Sequence, residues 1–143
     1  MIQKFLHGLL NSVRQDFKVV HHAVLPATEA QYGRLETPLP EALQQSLEGF
    51  GIRALYTHQA EALQQIRSGK HIVVATPTSS GKSLIYNLAI IEAILQNPDL
   101  HALYLFPIKA LTRDQLGSLE ALFNAFPADG ASIAPPAPVY DGD

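Results

Sequence analysis

The sequence predicts an α/β fold in which a parallel sheet, begun by two strands, follows a helical N-terminal segment. Three observations carry that reading. Two short apolar runs, HIVVA (71–75) and LHALYLF (100–106), are each followed by a longer run with helical periodicity, giving the order strand, helix, strand, helix. A loop of small residues, TPTSSGKS (76–83), joins the first of these strands to its helix. Composition fits one core: of 143 residues 47% are hydrophobic and 16% charged, and the mean hydropathy is +0.06, too apolar for a disordered chain and too interrupted for a membrane protein.

Ile2, Phe5, Leu6, Leu9, Leu10, Val13 and Phe17 follow helical spacing, which predicts an amphipathic helix at the start of the chain. An export signal is a poorer reading, because the apolar run is short and His7 and Gly8 break it. A polar connector follows, with one helix in PLPEALQQSLEGFG that Pro40 starts and Gly49 or Gly51 ends. Residues 1–50 are thus a helical segment and connector, and 51–143 form the second unit. Thr57 offers an N-cap for a helix over 58–67, closed by Ser68 and Gly69.

The run 71–75 is β-branched and apolar on both parities, as a strand buried on both faces of a parallel sheet reads. The helix over 82–96 ends at Asn97 and Pro98. Pro107 ends the second strand, and a helix over 111–126 follows, with Thr112 and Gln115 spaced as a capping box. From residue 127 the chain turns to Ala, Pro and Gly without a regular apolar period, and no internal repeat is present.

The formal net charge of −3 and pI near 6.0 give no global attraction to a polyanion, so contact with nucleic acid must come from a few placed groups. The chain has no cysteine, which excludes disulfides and a thiolate zinc site in this stretch and makes the cytoplasm the expected location. His21 and His22 are neighbours, so their side chains diverge, and no third ligand stands at a useful spacing; a metal site there is not expected.

The chemistry concentrates in 76–83. Backbone N–H groups at a helix start lack intrahelical partners and carry the positive end of the peptide dipoles, so a loop of small residues there can wrap a triphosphate. Thr78, Ser79, Ser80 and Gly81 are the small residues of that cradle. Lys82, the one catalytic candidate, places its ammonium among phosphate oxygens, and the Ser83 hydroxyl is the candidate ligand for Mg²⁺, with ATP as the nucleotide. Thr76 stands where the general pattern GxxxxGK, followed by Ser or Thr, has its first glycine. The competing reading is a plain turn with a surface lysine.

Gln59 stands 23 residues before Lys82, in GIRALYTHQAEAL. Its amide donates and accepts at once, which suits the N6 and N7 edge of adenine, although a helical Gln taken alone is usually a solvated surface residue. A Gln at this distance before a TxxGKS-type loop resembles the Q motif and motif I of DEAD/DEAH-box helicases. FPIKALTRDQ (106–115) resembles motif Ia of the DNA helicase subgroup whose longer members carry a C-terminal zinc-binding region. The resemblance is close over about 51–122 and weak before it.

The resemblance implies a RecA-like domain of an ATP-driven nucleic-acid helicase, with DNA as the expected partner. It implies that Gln59 and Tyr56 meet adenine, that 78–83 hold phosphate and metal, and that Pro107, Lys109 and Arg113 meet the nucleic-acid backbone. Lys109 and Arg113, four apart, share a helical face. Helicases of this type also use an Asp-Glu pair and an arginine from a second RecA-like domain. No Asp-Glu pair occurs here. The chain is therefore expected to be a truncation product, a split gene or a fragment, with the remainder of the helicase as a partner, and to be inactive alone. The alternatives are a non-enzymatic nucleotide-binding module and a small-molecule kinase, which has no need of Gln59 or of the PIKAL segment.

Overall fold

A computed structural model describes residues 26–78, 80–126 and 138–140, together with residues 4, 7, 8, 21, 23 and 24. It has four helices over 26–126: α1 (Glu41–Gly49), α2 (Thr57–Arg67), α3 (Lys82–Gln96) and α4 (Lys109–Asn124). Lys4, His7 and Gly8 of the expected N-terminal helix are helical and exposed; the rest of 2–17 and the stretch 127–137 lie outside the described residues. Among the described residues no helix is long and apolar enough to cross a membrane.

The carbonyl of Pro40 accepts the first N–H bonds of α1, from Leu43 at 2.9 Å and Gln44 at 3.0 Å. Both α1 and α2 end in the same way. Gly51 and Gly69, with φ of 76° and 79°, turn the chain left-handed just past the last turn, and the amides of Ile52 and Lys70 then reach back to the carbonyls of Leu47 and Gln65. This is a Schellman motif, which satisfies carbonyls that a helix end otherwise leaves unpaired. Thr57 does not cap α2, as the sequence suggested. Tyr56 holds the cap position in extended conformation, and the Thr57 amide, already in the first turn, is bonded to the Gln31 carbonyl at 2.9 Å.

The core lies between the helices. Leu43 and Leu47 of α1 meet Leu63 of α2, Leu88 and Ile91 of α3, and Leu119, Leu122 and Phe123 of α4, all buried. Spacings of three and four residues place each set on one helical face. The Ser46 hydroxyl, also buried, donates to the Leu122 carbonyl at 2.9 Å and ties α1 to the last turns of α4. Arg67 clasps Glu92 of α3 with two nitrogens, one of them at 3.0 Å, and also donates to the carbonyl of Thr37. One guanidinium therefore joins α2, α3 and the connector before α1.

The expected parallel sheet is not formed among the described residues, where the one β-bridge is the antiparallel pair Tyr32–Tyr56. The two expected strands keep the alternation of extended chain: Ile72 and Val74 are half-buried while His71, Val73 and Ala75 are exposed, and Leu103 and Leu105 are exposed on either side of Tyr104. Val73 is 96% exposed, so burial on both faces does not hold. An apolar run specifies extended backbone, but a ladder needs a neighbouring strand, and these two segments do not pair with each other.

α4 begins two residues before its expected start, at Lys109, so Thr112 and Gln115 form no capping box. A capping threonine must stand outside the helix, and Thr112 lies inside the first turns, its hydroxyl donating back to the Ile108 carbonyl at 3.3 Å. Gln115 instead accepts the Tyr86 hydroxyl at 2.8 Å. The Tyr104 hydroxyl donates to Asn87 Oδ1 at 3.1 Å, and the Tyr86 and Tyr104 rings meet edge to face at 5.7 Å. Burial, and then the neighbouring Tyr86, push the Tyr104 hydroxyl up to about 12.

Two outcomes follow from these contacts. Arg67→Met leaves the Glu92 carboxylate, 7% exposed, without its cation, and should lower stability by about 3 kcal/mol in urea denaturation, most of it recovered when Glu92→Leu is added. Tyr104 ionises later in the folded chain than in the unfolded one, so its contribution is complete below pH 10 and lost as pH rises from 10 toward 12. The thermal midpoint should fall across that window, and Tyr104→Phe should make the fall shallower.

Candidate functional site

The loop after the extended segment 71–75 is shaped by the first turn of α2. Gln59, 3% exposed, uses both ends of its amide: Oε1 accepts the Tyr56 backbone N–H at 2.9 Å, and Nε2 donates to the Gly81 carbonyl at 3.0 Å. Next to it, His58 Nε2 stands 2.9 Å from the Ser80 carbonyl, and since a carbonyl only accepts, that nitrogen carries the proton. Carbonyl and N–H point opposite ways in a trans peptide, so holding these two carbonyls on α2 turns the amides of Gly81 and Lys82 away from it. Those are the donors that begin α3.

Gly81 is the hinge of this arrangement. Its φ of 74° is left-handed, and a Cβ there would lie 2.5 Å from Gln59 Nε2. A side chain would be strained by the backbone and would displace the amide that holds the loop.

Lys82 and Ser83 are the first two residues of α3, where backbone N–H groups lack intrahelical partners. The Lys82 ammonium is folded onto the loop, 2.8 Å from the Thr76 carbonyl and 2.7 Å from that of Pro77, with the Thr76 and Ser80 hydroxyls at 3.5 and 3.4 Å. Those hydroxyls bond each other at 2.6 Å. Thr76, at the place of a glycine in the general pattern, thus closes the base of the loop with its side chain. Ser79 lies outside the described residues.

A cleft of about 1260 Å³ opens beside the loop and brings together Tyr56, Gln59, Gly81, Ser83 and Arg113. Thr78, Ser80, Lys82, Pro107 and Lys109 are not in its lining. Pro107 and Lys109 are exposed at the start of α4, and Arg113 one turn on is exposed too. Tyr32 was missed in the sequence. It lies at the rim of the cleft with its ring stacked on Tyr56, centroids 5.5 Å apart and planes 17° from parallel, and Tyr56 stacks in turn on His58 at 5.9 Å. The bridge that places it is held by Gly33 N–H donating to the Leu55 carbonyl and Thr57 N–H to that of Gln31, both at 2.9 Å. Its one signal in the sequence is an aromatic residue alone in a polar stretch.

Comparison with known proteins agrees with this geometry. The family model described as DEAD/DEAH box helicase matches residues 56–134. The uncharacterized ATP-dependent helicase YprA of Bacillus subtilis is 36% identical over 143 residues, which are 100% of this chain and 18% of that protein. The ATP-dependent helicase hrq1 of Schizosaccharomyces pombe is 36% identical over 129 residues, 88% of this chain and 12% of the relative. The chain therefore spans less than a fifth of the length of these curated relatives. Among solved structures, the DUF1998 helicase MrfA bound to DNA and AMPPNP superposes with a TM-score of 0.69 at 36% identity, over 86% of this chain and 17% of that one. With a RecA-like helicase domain as its structural neighbour and more than half of its residues matched by the family model, the chain belongs to the DEAD/DEAH box helicase family.

Proposed function

We propose that this chain is the ATP-binding portion of an ATP-dependent helicase or translocase acting on DNA. The observation that carries the reading is the grip of His58 and Gln59 on the Ser80 and Gly81 carbonyls, which aims the loop amides away from α2 beside Lys82 and Ser83. Further support comes from the relatives, which are ATP-dependent helicases, and from MrfA, whose structure holds DNA and AMPPNP together.

The residues fit Mg-ATP. Thr78, Ser79, Ser80 and Gly81 leave room for backbone amides to approach the phosphates, and the Lys82 ammonium exchanges the Thr76 and Pro77 carbonyls for phosphate oxygens. Ser83 would hold Mg²⁺, which neutralises phosphate charge when bound. Gln59 keeps one N–H and one lone pair beyond its two protein bonds, the pair that adenine needs. Tyr56 and Tyr32 offer the aromatic wall beside it. Pro107, Lys109 and Arg113 are the proposed contacts to the DNA backbone.

A second reading, nucleotide binding without turnover by these 143 residues, is favoured by the lack of any Asp-Glu pair in the sequence. In ATPases of this type such carboxylates position the attacking water.

Isothermal calorimetry tests the site. Mg-ATP should bind, and Lys82→Ala should weaken it by on the order of 2–4 kcal/mol, the scale of charge-assisted bonds; equal binding by the variant removes the phosphate assignment. The chain should also prefer ATP to GTP, and Gln59→Ala should narrow that preference by about 1–2 kcal/mol. Because Gln59 also holds Gly81, both affinities should fall, so the ratio is the discriminating measure. Equal affinities for the two nucleotides in the unmutated chain would rule out base reading by Gln59.

A further inference from the structure

Lys82 and Ser83 each have a polar residue one helical turn behind them on α3. Tyr86 follows Lys82 by four residues and Asn87 follows Ser83 by four, so each pair lies on one face of the helix. Both of these residues bond to the segment that carries the proposed DNA contacts. The Tyr86 hydroxyl donates to Gln115 Oε1 of α4 at 2.8 Å, and Asn87 Oδ1 accepts the Tyr104 hydroxyl at 3.1 Å, just before Pro107. Asn87 is buried, and Tyr104 stacks on Phe106 at 6.1 Å.

On α4, Gln115 stands two positions after Arg113, about 200° around the helix. Gln115 thus leaves α4 from a different face than Arg113, which lines the cleft shared with Ser83 and Asn87 of α3. We propose that this double polar bridge couples the nucleotide loop to the DNA-contacting start of α4, with Tyr86 and Gln115 as positioning residues. The inference rests on the function proposed above and deepens it.

The physical chain is short. When the Lys82 ammonium leaves the Thr76 and Pro77 carbonyls for a phosphate, the side chain at the first position of α3 changes its partners, and Tyr86 sits one turn behind. A rigid helix passes a small rotation or shift of its first turn to the residues behind it. The Tyr86 and Tyr104 rings, edge to face at 5.7 Å between α3 and the extended segment, add a packing contact beside the two hydrogen bonds. Burial keeps the Tyr104 hydroxyl a protonated donor throughout the pH range in which the measurement is made.

The test is a linkage measurement on the unmutated chain, Tyr86→Phe, Gln115→Met and the double variant. The Kd of a non-hydrolysable ATP analogue is determined with and without a saturating single-stranded DNA oligonucleotide, and the thermal midpoint of each variant is recorded. In the unmutated chain the oligonucleotide should tighten the analogue about fivefold or more, the lower end of typical coupling between sites. Each single variant should bring that ratio close to one while each ligand alone binds within about twofold of the unmutated value, and the double variant should lose no more than either single one. A merely structural role would instead lower the midpoint and weaken both ligands together. The proposal is overturned if both variants keep the full ratio, or if the unmutated chain binds both ligands without coupling. Failure of the unmutated chain to bind the analogue or the oligonucleotide at all is a different result, which defeats the proposed function and this inference with it.

Discussion

The candidate site depends on one side-chain amide that bonds through both of its ends. Gln59 binds its own helix start through Oε1 and the phosphate loop through Nε2, so the beginning of α2 and the beginning of α3 are fixed to each other through a single residue. The turn into α3 inherits its position from that tie. Gly81 suits its place because its φ of 74° strains any other residue, a Cβ there would also displace the Gln59 amide, and the amides of Gly81 and Lys82 face outward because the carbonyls face Gln59 and His58. The Ser80 and Gly81 carbonyls, and with them the two following amides, are thereby fixed against α2.

A second tie works at the other end of the same two helices. Arg67 lies in the last turn of α2 and Glu92 toward the end of α3, so their ion pair and the Gln59–Gly81 bond brace α2 against α3 at separated points. Between the two lie Leu63, Leu88 and Ile91, all fully buried. Apolar contact supplies most of the attraction between these helices, and the two polar ties fix their register, which contact between smooth apolar faces specifies poorly.

Much of this was legible in the sequence, for reasons that differ by element. The four helices follow from apolar spacing, from Pro40 and Pro107 and from Gly51 and Gly69, because proline and glycine act on the local backbone wherever they stand. The loop was legible because small residues followed by Lys82, set between two apolar runs, stand out from their surroundings. The cap positions were not. Whether Thr57 or Thr112 caps a helix depends on where the preceding chain turns, and in both cases the helix begins earlier than expected, at Thr57 and at Lys109. The sheet was not legible as an object, since His71 and its neighbours specify a strand without specifying a partner. Tyr32 was invisible because its role comes from the bridge to Tyr56, a contact that no periodicity reports.

The position of Lys82 bears on how tightly nucleotide can be held. An ammonium already accepting the company of two backbone carbonyls and close to two hydroxyls is not a bare charge awaiting phosphate. Binding exchanges one set of charge-assisted bonds for another, so the net gain is the difference between phosphate and carbonyl as partners rather than the whole of the new interaction. What removing the lysine costs therefore overstates what it contributes to affinity. In the proposed site, selectivity then rests on groups whose remaining bonding capacity has no other use, of which the second N–H and lone pair of Gln59 are the clearest case.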